Sequence, residues 1–315
     1  MMNELRIIFF GTPSFAVDSL HEIKLNYNVD LVVTTPDKKS GRGQKMNQSK
    51  VKQYALKNNI KILQPENLND KEFINQIEAV QPDLIIVVAF RKLPLEIFSI
   101  PKYGTINLHA SLLPNYRGAA PINWCLINNE TKTGVTTFFI NESIDQGDIL
   151  LKEEIIISDE DDFGSLYLKL SSIGSKLLVK TINGVVTDTL KASKQIIAED
   201  IKIAPKLSKE NTRIDWNKPA KEILGKIRGL SPIPGAWTIL KNGNSEIRMK
   251  ILKAEIGKKI LNKKVGKILV HDRELHIYSE DRIINCTLIQ LENKRVMNAK
   301  DLINGLKLDE NSLVY

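Results

Sequence analysis

From Leu5 to about residue 180 the chain alternates short β-rich apolar runs with amphipathic stretches, and this alternation restricts the possible folds more than any other feature. Strands are expected at Leu5–Phe10, Asp30–Thr34, Ile60–Leu63, Leu84–Ala89, Thr105–Leu108 and Val135–Ile140. Helices are expected near Ser14–Leu25, Ser49–Asn58, Asp70–Val80, Ala119–Asn128 and Phe163–Lys180. Strands that alternate with helices build a mostly parallel sheet covered on both faces. Such sheets bind ligands beyond the carboxyl ends of their strands, where the loops after Phe10, Ala89 and Leu108 emerge.

After the polar stretch Asn183–Glu210 the pattern changes. A helix near Pro219–Leu230 precedes short alternating runs at Trp237–Leu240, Glu246–Leu252, Lys267–His271, Glu274–Tyr278 and Ile283–Leu291, which suggest a small antiparallel barrel. The expectation is an α/β chain with a Rossmann-like, mostly parallel sheet domain over 1–205 and a small C-terminal β-barrel, OB-like, over 206–315.

Charge divides along the same line. The formal net charge is +8, and residues 206–315 hold 22 lysines and arginines against 13 acids, while 1–205 hold 23 against 24. A basic excess confined to one segment points to a polyanionic partner, although any single lysine is as readily a solvated surface residue. Cys125 and Cys286 lie far apart within apolar surroundings, without the spacing of a disulfide framework or a zinc site. With no apolar run approaching the ~18 residues of a membrane span and no leader-like N-terminus, a cytoplasmic location is expected.

Gly11-Thr12-Pro13 follows the first strand where a dinucleotide-binding chain would have Gly-x-Gly-x-x-Gly. Thr12 as N-cap and Pro13 at the first helical position would account for these residues as a helix start. Alternatively the tight turn opens space for a ligand, with Phe15 lining it. Asn107-Leu108-His109 is more specific, because alternation on an extended strand end turns Asn107 and His109 to one face and Leu108 to the other. Farther along, the acidic loop Asn141–Asp148 holds Asp145 close to Gly147. A carboxylate reaching His109 would orient the ring and favour its charged form.

Amide, imidazole and carboxylate together suit acyl transfer through a tetrahedral species. Asn107 and charged His109 would donate to the developing oxyanion, and Asp145 would hold His109 and accept the proton of an attacking amine. Cys125 lies outside this cluster and Ser111 has no base beside it, so no covalent nucleophile is expected. The histidines His21, His109, His271 and His276 lack ligand spacing, so no metal is expected.

The run Asn107, His109, Ser111-Leu112-Leu113-Pro114 with the downstream Asp145 resembles the signature of the folate-dependent formyltransferases. Extended similarity covers Gly104–Ile106, Arg117–Ile122 and Gln146–Leu150, with Phe9–Pro13, Ala204–Leu207 and Arg228–Trp237 beyond them. It is closest to the branch of that family that acts on initiator methionyl-tRNA. The resemblance implies 10-formyltetrahydrofolate as formyl donor, the α-amino group of the esterified methionine as acceptor, and a monomer.

On that resemblance Ser111, Leu112, Leu113, Pro114, Phe90 and Leu93 would line the folate site. Arg91 stands in the Phe90–Pro94 loop where many relatives have glycine. Gly11, Thr12, Pro13 and Phe15 would face the acceptor. The basic stretch Thr34–Lys52 would be a mobile insertion entering the tRNA acceptor arm through Lys38, Lys39, Arg42 and Lys45. Two rivals remain: a formyltransferase of the same fold using a small amine, which would not need a basic second domain, and a non-catalytic RNA-binding protein, which would leave Asn107, His109 and Asp145 unexplained.

Overall fold

A computed structural model describes residues 5–40, 45–196, 200–259 and 264–315, with the side chains of Ser40 and Lys45 also outside the description. The first half of the chain runs through β1 (Ile7–Gly11), α1 (Ser14–Asn26), β2 (Val29–Val33), β3 (Lys38–Ser40), β4 (Lys45–Asn47), α2 (Lys50–Lys57), β5 (Ile62–Leu63), α3 (Lys71–Val80), β6 (Leu84–Val88), α4 (Leu95–Phe98) and β7 (Thr105–His109). After these come β8 (Arg117–Gly118), α5 (Pro121–Ile127), β9 (Lys132–Phe139), β10 (Ile149–Ile156), α6 (Phe163–Val186) and β11 (Ile203–Ala204). Every residue of β1 and β6 is buried, as expected of strands covered on both faces.

Seven strands form one sheet in the order β10-β9-β7-β6-β1-β2-β5. The pairs β1 with β2, β1 with β6, β2 with β5 and β6 with β7 are parallel, whereas β7 pairs antiparallel with β9. The chain leaves β1 in one direction through β2 and β5 and returns through β6 and β7 on the other side. A topological switch point therefore lies between β1 and β6, and the ends of β1, β6 and β7 open beside one another. A Cβ added to Gly11 at the end of β1 would fall 2.8 Å from the Ala16 Cβ and 3.2 Å from the Val88 carbonyl oxygen. Only glycine fits where helix α1 and strand β6 approach that closely.

The remaining elements are α7 (Ala220–Leu230), β12 (Ala236–Asn242), β13 (Ser245–Lys259), β14 (Ile268–His271), β15 (Glu274–Tyr278), β16 (Arg282–Leu291), β17 (Met297–Asn298), α8 (Ala299–Gly305) and β18 (Leu313–Val314). They form an antiparallel sheet in the order β14-β15-β16-β13-β12-β18, with β17 on β16. A bridge between Lys267 and Leu313 brings the start of β14 to β18, so the sheet curls back on itself. Irregularities in the long strand β13, at Ile251–Ala254 and Ile256–Lys259, accompany this curvature. Its core collects Ile223, Ile227, Met249, Ile251, Ile277, Ile284 and Ile289.

The chain divides into two compact units that are not contiguous in sequence: 1–118, 133–155 and 167–203 form one, and 119–132, 156–166 and 204–315 the other. Segments 119–132 and 156–166 lie within the stretch 1–205 that linear reading assigns to the first domain. They join the second unit because small residues on α7 admit α5. A Cβ on Gly229 would stand 2.7 Å from Ile127 and 2.8 Å from the Asn123 carbonyl, and Asn123 donates to the Gly229 carbonyl at 2.7 Å. Arg228 donates in turn to the carbonyls of Asp161 and Ser158 at 2.7 Å each.

Candidate active site

Strand β7 presents its two polar side chains as alternation requires. Leu108 packs on the opposite face against Gly174 of α6, where an added Cβ would come within 2.8 Å of the leucine. His109 is buried at the carboxyl end of the strand, while Asn107 is partly exposed. The Asn107 carboxamide makes no hydrogen bond to another described residue, so its NH₂ group can serve a ligand.

The turn after β7 fixes the His109 ring. Its Nε2 lies 2.8 Å from the carbonyl oxygen of Tyr116, and a carbonyl only accepts, so that nitrogen bears a proton. Nδ1 then faces Asp145, with Oδ2 at 3.9 Å, beyond hydrogen-bond range. The side chains of the pair are only 9% and 13% exposed, and the low dielectric strengthens whatever charge interaction they share. Tyr116 (φ 61°) and Asp145 (φ 54°) flank the imidazole, and both are non-glycine residues in the left-handed region.

Of the residues expected on the folate side, Ser111 and Leu113 are enclosed. Ser111 donates to the Asn115 carbonyl at 2.7 Å, and its own carbonyl accepts from Thr136 at 2.7 Å. Leu113 packs with Phe138 and Ile149, and its carbonyl accepts from Lys152 at 2.5 Å. Burial lowers the Lys152 pKa below the ordinary lysine range. Leu112 lies against Gly134 of β9, and Pro114, partly exposed, follows a cis peptide bond. Phe90 stacks edge-on against Phe10 at 5.4 Å, and Leu93 is buried in the core with Phe10 and Phe73. Arg91 lies over the Phe90 ring at 5.3 Å and donates to the carbonyls of Pro65 and Glu66 at 2.8 and 2.9 Å. The arginine thereby braces the Phe90 loop from outside.

The Asp145 loop connects β9 to β10. The Gly118 amide donates at 3.0 Å to Asp145 Oδ2, the same oxygen that lies 3.9 Å from His109 Nδ1. Gly147 sits so close to β9 that an added Cβ would overlap the Phe139 carbonyl oxygen at 1.6 Å. Gln195, from the connection after α6, donates to the carbonyls of Asp145 and Gly147 at 3.0 and 2.8 Å. Arg117 donates to the Gln195 side-chain oxygen through Nε at 3.2 Å and Nη2 at 2.5 Å. Burial lowers the Arg117 pKa, an effect opposed by the Asp145 charge. Sequence reasoning overlooked Tyr116 and Gln195 because neither carries a motif, and it treated Arg117-Gly118 as part of a resemblance without a role.

At the end of β1, Thr12 is not the N-cap. Helix α1 begins at Ser14 with Pro13 in the capping position and no side-chain cap, so the expected placement shifts by one residue. Thr12 Oγ1 is buried without a hydrogen-bond partner. Phe15 is buried edge-on against Tyr167 at 5.3 Å, in the core rather than lining an open space.

The basic stretch 34–52 contains the antiparallel hairpin β3–β4, in which Lys38 pairs with Asn47 and Lys39 with Met46. Lys38 and Lys39 are exposed, while Arg42 and the Lys45 side chain lie outside the described residues. Asp37 anchors the hairpin base: Lys52 Nζ donates to it at 2.6 Å and Gln64 at 2.9 Å. The bond from Lys52, followed by that from Gln64, lowers the Asp37 pKa.

A carboxamide and an imidazole on one face of a strand end, with a carboxylate facing the ring, offer the groups that acyl transfer to an amine requires. The formyl transferase family model matches residues 5–182, and the formyl transferase C-terminal domain model matches 206–307. The methionyl-tRNA formyltransferase of Flavobacterium johnsoniae is 46% identical over 315 residues, covering all of both chains. That of Bacteroides thetaiotaomicron is 41% identical over 98% of this chain and 97% of its own. The chain belongs to the formyltransferases and, within them, to the methionyl-tRNA formyltransferase family.

Solved structures share the fold at lower identity. A sugar 3N-formyl transferase, WlaRD, aligns with a TM-score of 0.64 at 22% identity, over 94% of this chain and all of that one. HypX from Aquifex aeolicus in complex with tetrahydrofolic acid aligns with a TM-score of 0.64 at 18% identity, over 96% of this chain but 47% of that one. This chain therefore spans about half the length of HypX.

Proposed function

We infer that the protein transfers the formyl group of 10-formyltetrahydrofolate to the α-amino group of methionine esterified to initiator tRNA, giving N-formylmethionyl-tRNA. The observation that carries this reading is the convergence of Asn107, His109 and Asp145 in a chain alignable end to end with relatives of that name. 10-Formyltetrahydrofolate supplies an activated formyl group when bound. Asn107 Nδ2 donates to the formyl oxygen as negative charge develops there. His109 Nε2 is committed to Tyr116, so Nδ1 is the ring nitrogen that serves the same oxygen. Asp145 faces that nitrogen, keeps its proton in place, and accepts the proton shed by the attacking amine, directly or through one water; the bond from the formyl carbon to N10 then breaks, and N10 takes up a proton as tetrahydrofolate leaves.

In this reading residues 1–205 form the catalytic domain, and 206–315 form the tRNA-binding domain. The exposed Lys38 and Lys39 with Arg42 and Lys45 contact tRNA phosphates. Gly11, Thr12 and Pro13 stand on the acceptor side, with Phe15 packed behind them in the core. The turn Ser111–Pro114 with Phe90 and Leu93 shapes the folate side, Ser111, Leu113 and Leu93 from within. No described helix is long and apolar enough to cross a membrane. A cytoplasmic location and a monomeric state belong to this reading through the family likeness alone.

A formylation assay with 10-formyltetrahydrofolate tests this, offering charged initiator tRNA, charged elongator tRNA and glycinamide ribonucleotide in parallel. Formylation confined to the initiator is expected. Preference for the ribonucleotide would replace tRNA by a small amine, and transfer to none would leave the chain an RNA-binding protein.

A further inference from the structure

The connection after α6 reads in sequence as a polar link between domains, yet it delivers a side chain to the catalytic loop. Ser193 pairs with Ile149 at the start of β10 through two backbone bonds, Ile149 to Ser193 at 2.7 Å and Ser193 to Ile149 at 2.8 Å. Two residues on, Gln195 uses both hydrogens of its carboxamide on the Asp145 and Gly147 carbonyls. Its oxygen accepts from Arg117, and the Gly118 amide next in sequence binds the Asp145 carboxylate. One closed circuit thus grips Asp145 by backbone and side chain, from the strand segment Arg117–Gly118 on one side and the connection on the other.

The loop needs such a grip. Asp145 adopts φ 54°, in the left-handed region that residues with a Cβ enter uncommonly and that contacts from the surroundings help to hold. Without Gln195 the carbonyls of Asp145 and Gly147 would lose the one side-chain donor that each has among the described residues, at the part-buried centre of an otherwise exposed loop. A primary amide suits the position, since it offers two donors to the carbonyls and one acceptor to the guanidinium.

We propose that Gln195 is a positioning residue for formyl transfer, holding Asp145 at the distance from His109 at which the carboxylate manages the reaction's proton, with Arg117 orienting the amide. The inference rests on the reading of Asp145 given above.

The test compares Gln195→Ala, Gln195→Met, Asp145→Ala and the double variant Gln195→Ala/Asp145→Ala in the full-length protein, measuring kcat and KM for both substrates together with thermal melting. Gln195→Ala is expected to lower kcat by about 10- to 100-fold, with both KM values within about twofold, the size of effect that misplacing a catalytic group by about an ångström produces. In the Asp145→Ala background the same change is expected to cost nothing further, because a residue acting through Asp145 has no target left. Additive losses in the double variant, or kcat within twofold of the parent for Gln195→Ala, would overturn the clamp. Full turnover by Asp145→Ala would instead overturn the site reading on which it stands. Gln195→Met keeps the side-chain volume without the donors, so it is expected to reproduce the kcat loss even if the alanine variant does not fold.

Discussion

At the residue scale, His109 has two unequal nitrogens. The Tyr116 carbonyl occupies Nε2 at 2.8 Å, so in the reading proposed above the ring acts through Nδ1, which Asp145 faces at 3.9 Å. Catalytic hydrogen bonds often tighten only when substrate is present, and 3.9 Å leaves room for that. Asn107→Ala and Asp145→Ala are each expected to lower kcat by roughly 10²- to 10³-fold while tRNA affinity, followed by filter binding, stays near the parent value. Unchanged turnover in either would remove these roles. Gly147→Ala is expected to lose about 3 kcal/mol or more of stability in urea denaturation, because its Cβ would overlap the Phe139 carbonyl at 1.6 Å and the neighbour is backbone that cannot yield.

At the scale of elements, two contacts deserve separate tests. The hairpin β3–β4 is anchored by Asp37, whose folded pKa is lowered by Lys52 and Gln64. A lowered carboxylate pKa contributes its stability fully above the unfolded value and loses it as pH falls through the folded one. The protection factors of the hairpin amides, with the pH-dependent intrinsic exchange rate divided out, are therefore expected to hold from neutrality down to about pH 4 and to fall below it, and Asp37→Asn should remove that acid step. An identical acid profile in the variant would assign the step elsewhere. Between α5 and α7, Gly229→Ala inserts a methyl 2.7 Å from Ile127 and 2.8 Å from a backbone carbonyl. A destabilisation of about 1–3 kcal/mol in the urea midpoint is expected.

For the whole molecule, the basic excess falls in 206–315, with 22 basic against 13 acidic residues, while 1–205, which contain Asn107, His109 and Asp145, are near-neutral at 23 against 24. Association with a polyanion through such charge is lost with salt. KM for charged initiator tRNA is expected to rise steeply with salt concentration while kcat at saturation holds, and Arg42→Ala should reduce the slope of the log–log plot by about one. A salt-independent KM would separate the basic segment from tRNA binding. Deleting 206–315 is a poor substitute for this test, since α7 and the barrel are the partners of α5 within the second unit.

Periodicity alone placed most strands and helices within a few residues of where they lie, because apolar spacing is a local property that burial enforces whatever the topology. The same alternation correctly turned Asn107 and His109 to one face and Leu108 to the other. Pattern did not reveal β10, whose outward residues Lys152 and Glu154 interrupt the apolar run, nor the hairpin within the basic stretch. It also could not show that Thr12 misses the cap, that α5 joins the second unit, or that Gln195 reaches Asp145. Those features depend on loops meeting across long stretches of chain and on Tyr116 and Asp145 holding backbone conformations that their own side chains disfavour. The candidate residues Asn107, His109 and Asp145 could be named from the sequence, whereas which nitrogen of His109 is left facing Asp145, and what holds that carboxylate, was decided by tertiary packing.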